Sequence, residues 1–183
     1  MTVRVRLALA SIALLVLTAC GAGTATTTSS TPAPARSQGG SVGSAATSEA
    51  KVSTLRSTTL EGAAFDFASI SGQPTVLWFW APWCTICRAE APEIAKVAAQ
   101  VAGDVTFIGI PGRGEQPEME QFVADTGVGG FEHVVDTDGR IWTEFGVVGQ
   151  PSFAFINAAG DVEMVNGSLT GDQLESAARA LVD

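Results

Sequence analysis

Thr75-Val-Leu-Trp-Phe-Trp80, followed by Ala81-Pro-Trp-Cys-Thr-Ile-Cys87, is the stretch on which the reading of the fold turns. The first six residues are apolar at both alternating positions, so a strand here offers no face to water and belongs in a sheet covered by helices on both sides. It is the expected central strand. From Cys84 to Ala102, the residues Ile86, Ala89, Ile94, Val97, Ala98 and Val101 recur at helical spacing, and Pro92 in the interior predicts a kink or a break. Val105-Thr-Phe-Ile-Gly-Ile110 reads as a second buried strand. The three segments make a βαβ unit with parallel strands and a right-handed crossover.

Downstream, Glu115 to Thr126 reads as a helix with Met119, Phe122 and Val123 inward, ended by Gly127 to Gly130, and a short strand is expected near His133 to Val135. Ser152-Phe-Ala-Phe-Ile156 and Val162 to Asn166 are separated by a glycine-containing turn of hairpin length, which predicts an antiparallel pair. Thr170-Gly-Asp-Gln173 has capping-box spacing and opens a last amphipathic helix through Leu174, Ala178 and Leu181. The order is βαβ, a helix, then ββα: an α/β fold with a central mixed sheet flanked by helices.

Cys84 and Cys87 stand where the central strand gives way to the helix, and that context makes two cysteines at this spacing informative. Three apart across a first helical turn, their Cα atoms fall about 5–6 Å apart, within the range a disulfide requires. Cys84 would meet the unpaired N–H groups and positive dipole end of the helix, which favour the thiolate and make it the attacking sulfur. Cys87, one turn further in, would resolve the mixed disulfide. A static disulfide or half of a metal site are the competing readings. A bond inside one helical turn closes so small a loop that it restrains the unfolded chain little, which favours redox work over a structural staple.

Trp80-Ala-Pro-Trp-Cys-Thr-Ile-Cys87 after an aromatic strand resembles the active site of the thioredoxin superfamily. The continuation Cys87-Arg-Ala-Glu-Ala-Pro92 is similar to the exported TlpA/ResA branch, and with the N-terminal features below the likeness is to the mycobacterial DsbE/DsbF type of secreted thiol-disulfide oxidoreductase. It covers nearly all of residues 53–183. The resemblance implies a thioredoxin-like fold, a cis peptide before Pro151, and a client peptide pairing with the backbone at Gln150, with Trp83, Gln150 and Pro151 as substrate-binding residues. Gln150 departs from the apolar residue of thioredoxin at this point. The likeness also implies that Glu90 shuttles protons to and from the Cys87 thiol, whereas Glu93 would be an ordinary surface acid. No cofactor and no metal are implied.

The chain has 183 residues, 46% hydrophobic and 16% charged, enough for one folded domain with appendages. Ten basic against nineteen acidic residues give −9, a field that repels nucleic acid. Arg4 and Arg6 precede an uncharged, mostly apolar run from Leu7 to Ala19, too short for the roughly 20 residues of a membrane span and suited to a signal peptide over residues 1–19. Leu17-Thr-Ala-Cys-Gly21 resembles the bacterial lipobox, which implies a lipid on Cys20; a plain secretory signal with a chance cysteine is the alternative. Losing the two leader arginines would leave eight basic and nineteen acidic residues, a net −11, so lipid rather than charge would hold the protein to a membrane. Residues 20–52, rich in Ser, Thr, Gly, Ala and Pro, read as a tether with a span of roughly 30 Å. Residues 53–183 form the domain.

Three further motifs have plain readings. Asp136-Thr-Asp-Gly139 lacks the remaining ligands of a calcium loop and reads as a turn; Gly112-Arg-Gly114 lacks phosphate-loop spacing and reads as a loop; His133 has no cysteine near it and reads as packing. The expected activity is exchange of the Cys84–Cys87 disulfide with cysteine-containing exported proteins, by a monomer working with a membrane redox partner. The DsbE/DsbF likeness favours oxidation of folding clients, and the TlpA/ResA likeness a reductase of the cytochrome c maturation kind. A copper-delivery module is a distant alternative, because those of this fold carry CxxxC with a distant histidine.

Overall fold

The computed structural model describes residues 52–182. The expected signal segment, Cys20 and the tether as far as residue 51 lie outside the described residues. A five-stranded mixed sheet runs in the order β5-β4-β3-β6-β7, built from β3 (Thr75–Trp80), β4 (Thr106–Pro111), β5 (Glu132–His133), β6 (Ser152–Ile156) and β7 (Val162–Asn166). Strand β3 is parallel to β4 and antiparallel to β6, and β6 pairs antiparallel with β7. The β3–β4 and β6–β7 pairings are those the βαβ unit and the hairpin turn predict; the β3–β6 pairing joins the two halves into one sheet.

Central placement follows from side-chain chemistry: all six residues of β3 are buried. Val76, Trp78 and Trp80 point to one face and share a core with Ile94, Phe122, Phe153 and Leu174. That core joins α1 (Thr85–Gln100), α2 (Gln116–Thr126) and α4 (Gly171–Arg179) to the sheet. Leu77 and Phe79 point to the other face, against Phe67, Ile141, Trp142 and Phe145. The residues of this second layer come from a 3-10 turn at Phe67–Ile70 and from the short α3 (Arg140–Glu144). Val52, placed at the end of the tether by composition, is half-buried against this second core.

Four details depart from the sequence pattern. Helix α1 runs unbroken through Pro92. The proline removes the bond to the Arg88 carbonyl and crowds it with its ring, while Ala91 and Ile94 on either side are buried in the core and hold the helix on the sheet. The buried stripe of α1 is Cys87, Ala91, Ile94 and Val97; Ile94, Val97 and Val101 lie inward as the spacing predicts, whereas in the first turns Cys87 and Ala91 are buried in place of Ile86 and Ala89, which face outward. An N-terminal hairpin, β1 (Arg56–Thr58) with β2 (Ala64–Asp66), carries no strong pattern because each strand has three residues. Just beyond β1, Leu60 N–H donates to the His133 carbonyl at 2.9 Å, so this segment covers the edge of the main sheet. Finally, α3 starts where the Asp136 carboxylate accepts the N–H groups of Ile141 at 3.1 Å and Trp142 at 2.8 Å. The Asp136 to Gly139 segment is thus a turn that caps a helix.

Candidate active site

Strand β3 ends at Trp80, and the chain enters α1 within four residues. Cys84 is the N-cap of that helix, with extended backbone, and its N–H donates to Ala81 O at 3.0 Å. The two cysteines form a disulfide with Cα atoms 5.3 Å apart, as expected for residues across one helical turn. Cys84 Sγ accepts the backbone N–H of Cys87 at 3.1 Å, the capping bond a serine or aspartate would otherwise accept. No acidic residue occupies the first turn of α1. Negative charge arriving on Cys84 would therefore find an N–H donor and the positive end of the helix dipole.

Burial separates the two sulfurs. Cys84 is 5% exposed and Cys87 is fully buried in the core that also holds Trp78, Trp80 and Phe153, while on either side Trp83 and Ile86 stand well out into solvent. A sulfur approaching from outside meets Cys84 first.

Glu90 follows Cys87 by three residues, a spacing that puts the two side chains on neighbouring positions of the helix surface. Its Oε1 accepts from the Trp78 indole Nε1 at 3.0 Å. Burial pushes the Glu90 carboxyl up from 4.5 to about 7, against the opposing pull of hydrogen bonds from Trp78 and Ser168. Glu93, one turn face away, is exposed and pairs with Lys96 at 3.4 Å.

Pro151 enters the same region from β6. The register sets Phe79 opposite Ser152, so the residue before Ser152 reaches the end of β3 from which the cysteine turn departs. The Gln150–Pro151 peptide is cis, Pro151 is buried and Gln150 half-buried. His133 lies apart from this edge, under Gly109, with Nε2 3.0 Å from Val128 O and its ring edge-on to Trp80; burial lowers its pKa. It is a packing residue.

Two residues at this edge escaped the sequence reading. Trp78 holds Glu90, and the signal available was an indole on the helix-facing side of β3. Arg113 accepts from Trp83 Nε1 at 2.7 Å through its carbonyl and donates to Val148 O at 3.2 Å; only its setting between two glycines marked it.

A protein-family model, "AhpC/TSA family", matches residues 45–165. The soluble secreted antigen MPT53 of Mycobacterium tuberculosis is 43% identical over 127 residues, 68% of this chain and 72% of that protein. The structure of M. tuberculosis DsbF superposes with a TM-score of 0.69 at 40% identity, over 73% of this chain and 97% of DsbF. A secreted M. tuberculosis disulfide oxidoreductase homologous to E. coli DsbE gives 0.67 at 41% identity, over 71% of this chain and 98% of the other. With the Cys84–Cys87 pair at the mouth of a thioredoxin-like sheet, the chain belongs to the AhpC/TSA family and is a thioredoxin-fold thiol-disulfide oxidoreductase of the DsbE/DsbF type.

Proposed function

We propose that this oxidoreductase is exported, held to the outer face of the cell membrane through lipid on Cys20, and works as an oxidant, passing its disulfide to cysteine-containing proteins that fold outside the cytoplasm. The observation that carries the direction is the N-cap role of Cys84: its sulfur takes the Cys87 N–H at the positive end of α1. A stabilised thiolate favours the reduced enzyme, and an enzyme whose reduced form is stabilised is a stronger oxidant. Support for export comes from the lipobox-like run around Cys20 and from the secreted relatives.

In the forward reaction a client thiolate attacks Cys84 Sγ, and the bond to Cys87 breaks with its electron pair left on Cys87. Glu90, held near neutrality by burial, gives the departing sulfur a proton. A second client thiolate then attacks the client sulfur of the mixed disulfide and releases Cys84 as the thiolate. Two electrons have moved from the client dithiol to the enzyme pair, and a membrane redox partner removes them. The client backbone lies beside Gln150 and Pro151, with Trp83 against its side chains.

Equilibration with glutathione mixtures tests the direction. A potential near or above about −200 mV supports the oxidant, and one at or below about −270 mV, the thioredoxin range, replaces it with a reductase. Export and anchoring are tested separately: Cys20→Ser should shift the protein from the membrane fraction to the medium, and an unmodified Cys20 in exported wild-type protein would refute the anchor.

A further inference from the structure

The loop at Gly112-Arg113-Gly114, just after β4, is wedged at both ends. A Cβ on Gly112 would stand 2.9 Å from the Trp142 ring, and one on Gly114 2.4 Å from Pro82, so close packing demands glycine at both positions. Between them Arg113 holds φ at 56°, the left-handed region that residues with a Cβ seldom occupy and that the surrounding structure must enforce. This twist turns the two ends of one residue toward two different loops. The Arg113 carbonyl accepts from Trp83 Nε1 at 2.7 Å. Its guanidinium lies over the Trp142 ring, 4.7 Å from the centroid, and Nη2 donates to Val148 O at 3.2 Å. Trp142 is itself fixed, with Nε1 donating to Ile110 O at 3.1 Å.

Trp83 immediately precedes Cys84, and Val148 stands three residues before Pro151. Both side chains are largely in solvent, at 59% and 83% exposure, so core packing does little to set their positions. Arg113 is the bridge between them.

We propose that Arg113 is a positioning residue that ties the Trp83 side of the disulfide to the loop carrying Val148 to Pro151, fixing the groove in which a client peptide lies. The proposal rests on the reading that clients bind between the cysteine turn and Pro151. A groove with both walls already held costs less ordering when a peptide binds, whereas a small dithiol touches only the sulfur and gains nothing from the second wall. Lysine would not substitute, because a single ammonium does not stack flat on Trp142 while reaching Val148 O.

The test mixes the oxidised full chain with excess of a reduced two-cysteine peptide, or of dithiothreitol, and follows single-turnover reduction of Cys84–Cys87. Arg113→Gly keeps the carbonyl and accepts the positive φ but removes the guanidinium; Trp83→Phe keeps a ring but removes the donor. Each should raise the half-saturating peptide concentration by about 5-fold beyond any change with dithiothreitol, with a smaller effect on the limiting rate. The double variant should lose no more than the worse single one, since either break opens the same tie. Arg113→Lys should behave like Arg113→Gly. Equal losses on both reductants, additive losses, or full rescue by lysine would overturn the proposal. If wild type itself shows no saturation with peptide, the client groove fails and the tie with it; if wild type saturates and the variants match it, the tie alone fails.

Discussion

The Trp78 indole donates to the Glu90 carboxylate at 3.0 Å, joining the centre of the sheet to the third residue past Cys87. A carboxyl on the first turns of an exposed helix would ordinarily be solvated and charged. Here the strand beneath supplies a fixed donor on one oxygen and removes water from the group, and the loss of water outweighs the hydrogen bonds, pushing the carboxyl up to about 7. An acid that titrates near neutrality, carried three residues beyond Cys87 on the same helix, has a pKa suited to moving a proton at physiological pH.

Glu90→Gln should therefore slow exchange with a dithiol at pH 7 by about 100-fold, the lower end of general acid–base help from one side chain. Glu93→Gln should change the rate little, because Glu93 is exposed and paired with Lys96. Stopped-flow tryptophan fluorescence on the two variants makes the comparison, and matching rates would reduce Glu90 to an ordinary helix charge.

The same burial makes stability depend on pH in a defined direction. The folded carboxyl titrates near 7 and the unfolded one near 4.5, so between these values the native state holds more protons and stability falls as pH rises. Below 4.5 both states are protonated, and above 7 the penalty is complete. Glu90→Gln should flatten this part of the profile and, at pH 8, raise the melting temperature of the disulfide form by about 3 °C. Thermal melts at half-unit pH intervals measure it, and parallel profiles for the two proteins would show that Glu90 is charged in the fold.

The elements carrying the redox pair were legible because their signals are local. Six apolar residues in a row, a CxxC turn and a Thr170/Gln173 capping box each declare themselves within a short window, and the Thr170–Gln173 box forms with both of its hydrogen bonds. Part of what escaped depends on partners distant in sequence. The hairpin β1–β2 owes its place to the edge at His133, whereas α3 has a local cap, Asp136, and escaped because it is only five residues long. Arg113 is held by Pro82 and Trp142 through the glycines beside it. The phase of α1 matches from Ile94 onward but not in its first turns: periodicity places Ile86 inward, whereas Cys87 is the residue buried in the core and Ile86 stands out.

Gly109 shows how tightly the sheet's helix side is filled. A Cβ there would fall 2.0 Å from His133 Nδ1 and 2.9 Å from Trp80 Nε1, both on buried rings that have no room to turn. Gly109→Ala should cost about 3 kcal/mol by urea denaturation, the upper end of overpacking penalties. Gly171→Ala meets only the tip of Glu93, at 2.7 Å, a flexible side chain that can swing into water, and should stay within about 0.5 kcal/mol. Equal costs would mean that rigid and flexible obstacles are not distinguished here.

The proposed order of attack, Cys84 before Cys87, is supported by the difference in exposure between the two residues. Cys84 retains slight exposure at the helix start and Cys87 has none, so a mixed disulfide with a client forms on Cys84, and Cys87 closes the ring to expel it when the reaction runs toward reduction of the client. Cys87→Ala removes the resolving sulfur and leaves the accessible one with the helix dipole and the residue-87 N–H still in place. It should accumulate covalent adducts with a peptide disulfide, stable to gel electrophoresis without reductant and released by dithiothreitol. Cys84→Ala leaves only the fully buried Cys87 thiol and should trap about 10-fold less or lower, given how strongly exchange depends on access. Intact-mass measurement of both variants after the same exposure counts the adducts, and comparable trapping would reverse or dissolve the assignment of Cys84 as the attacking sulfur.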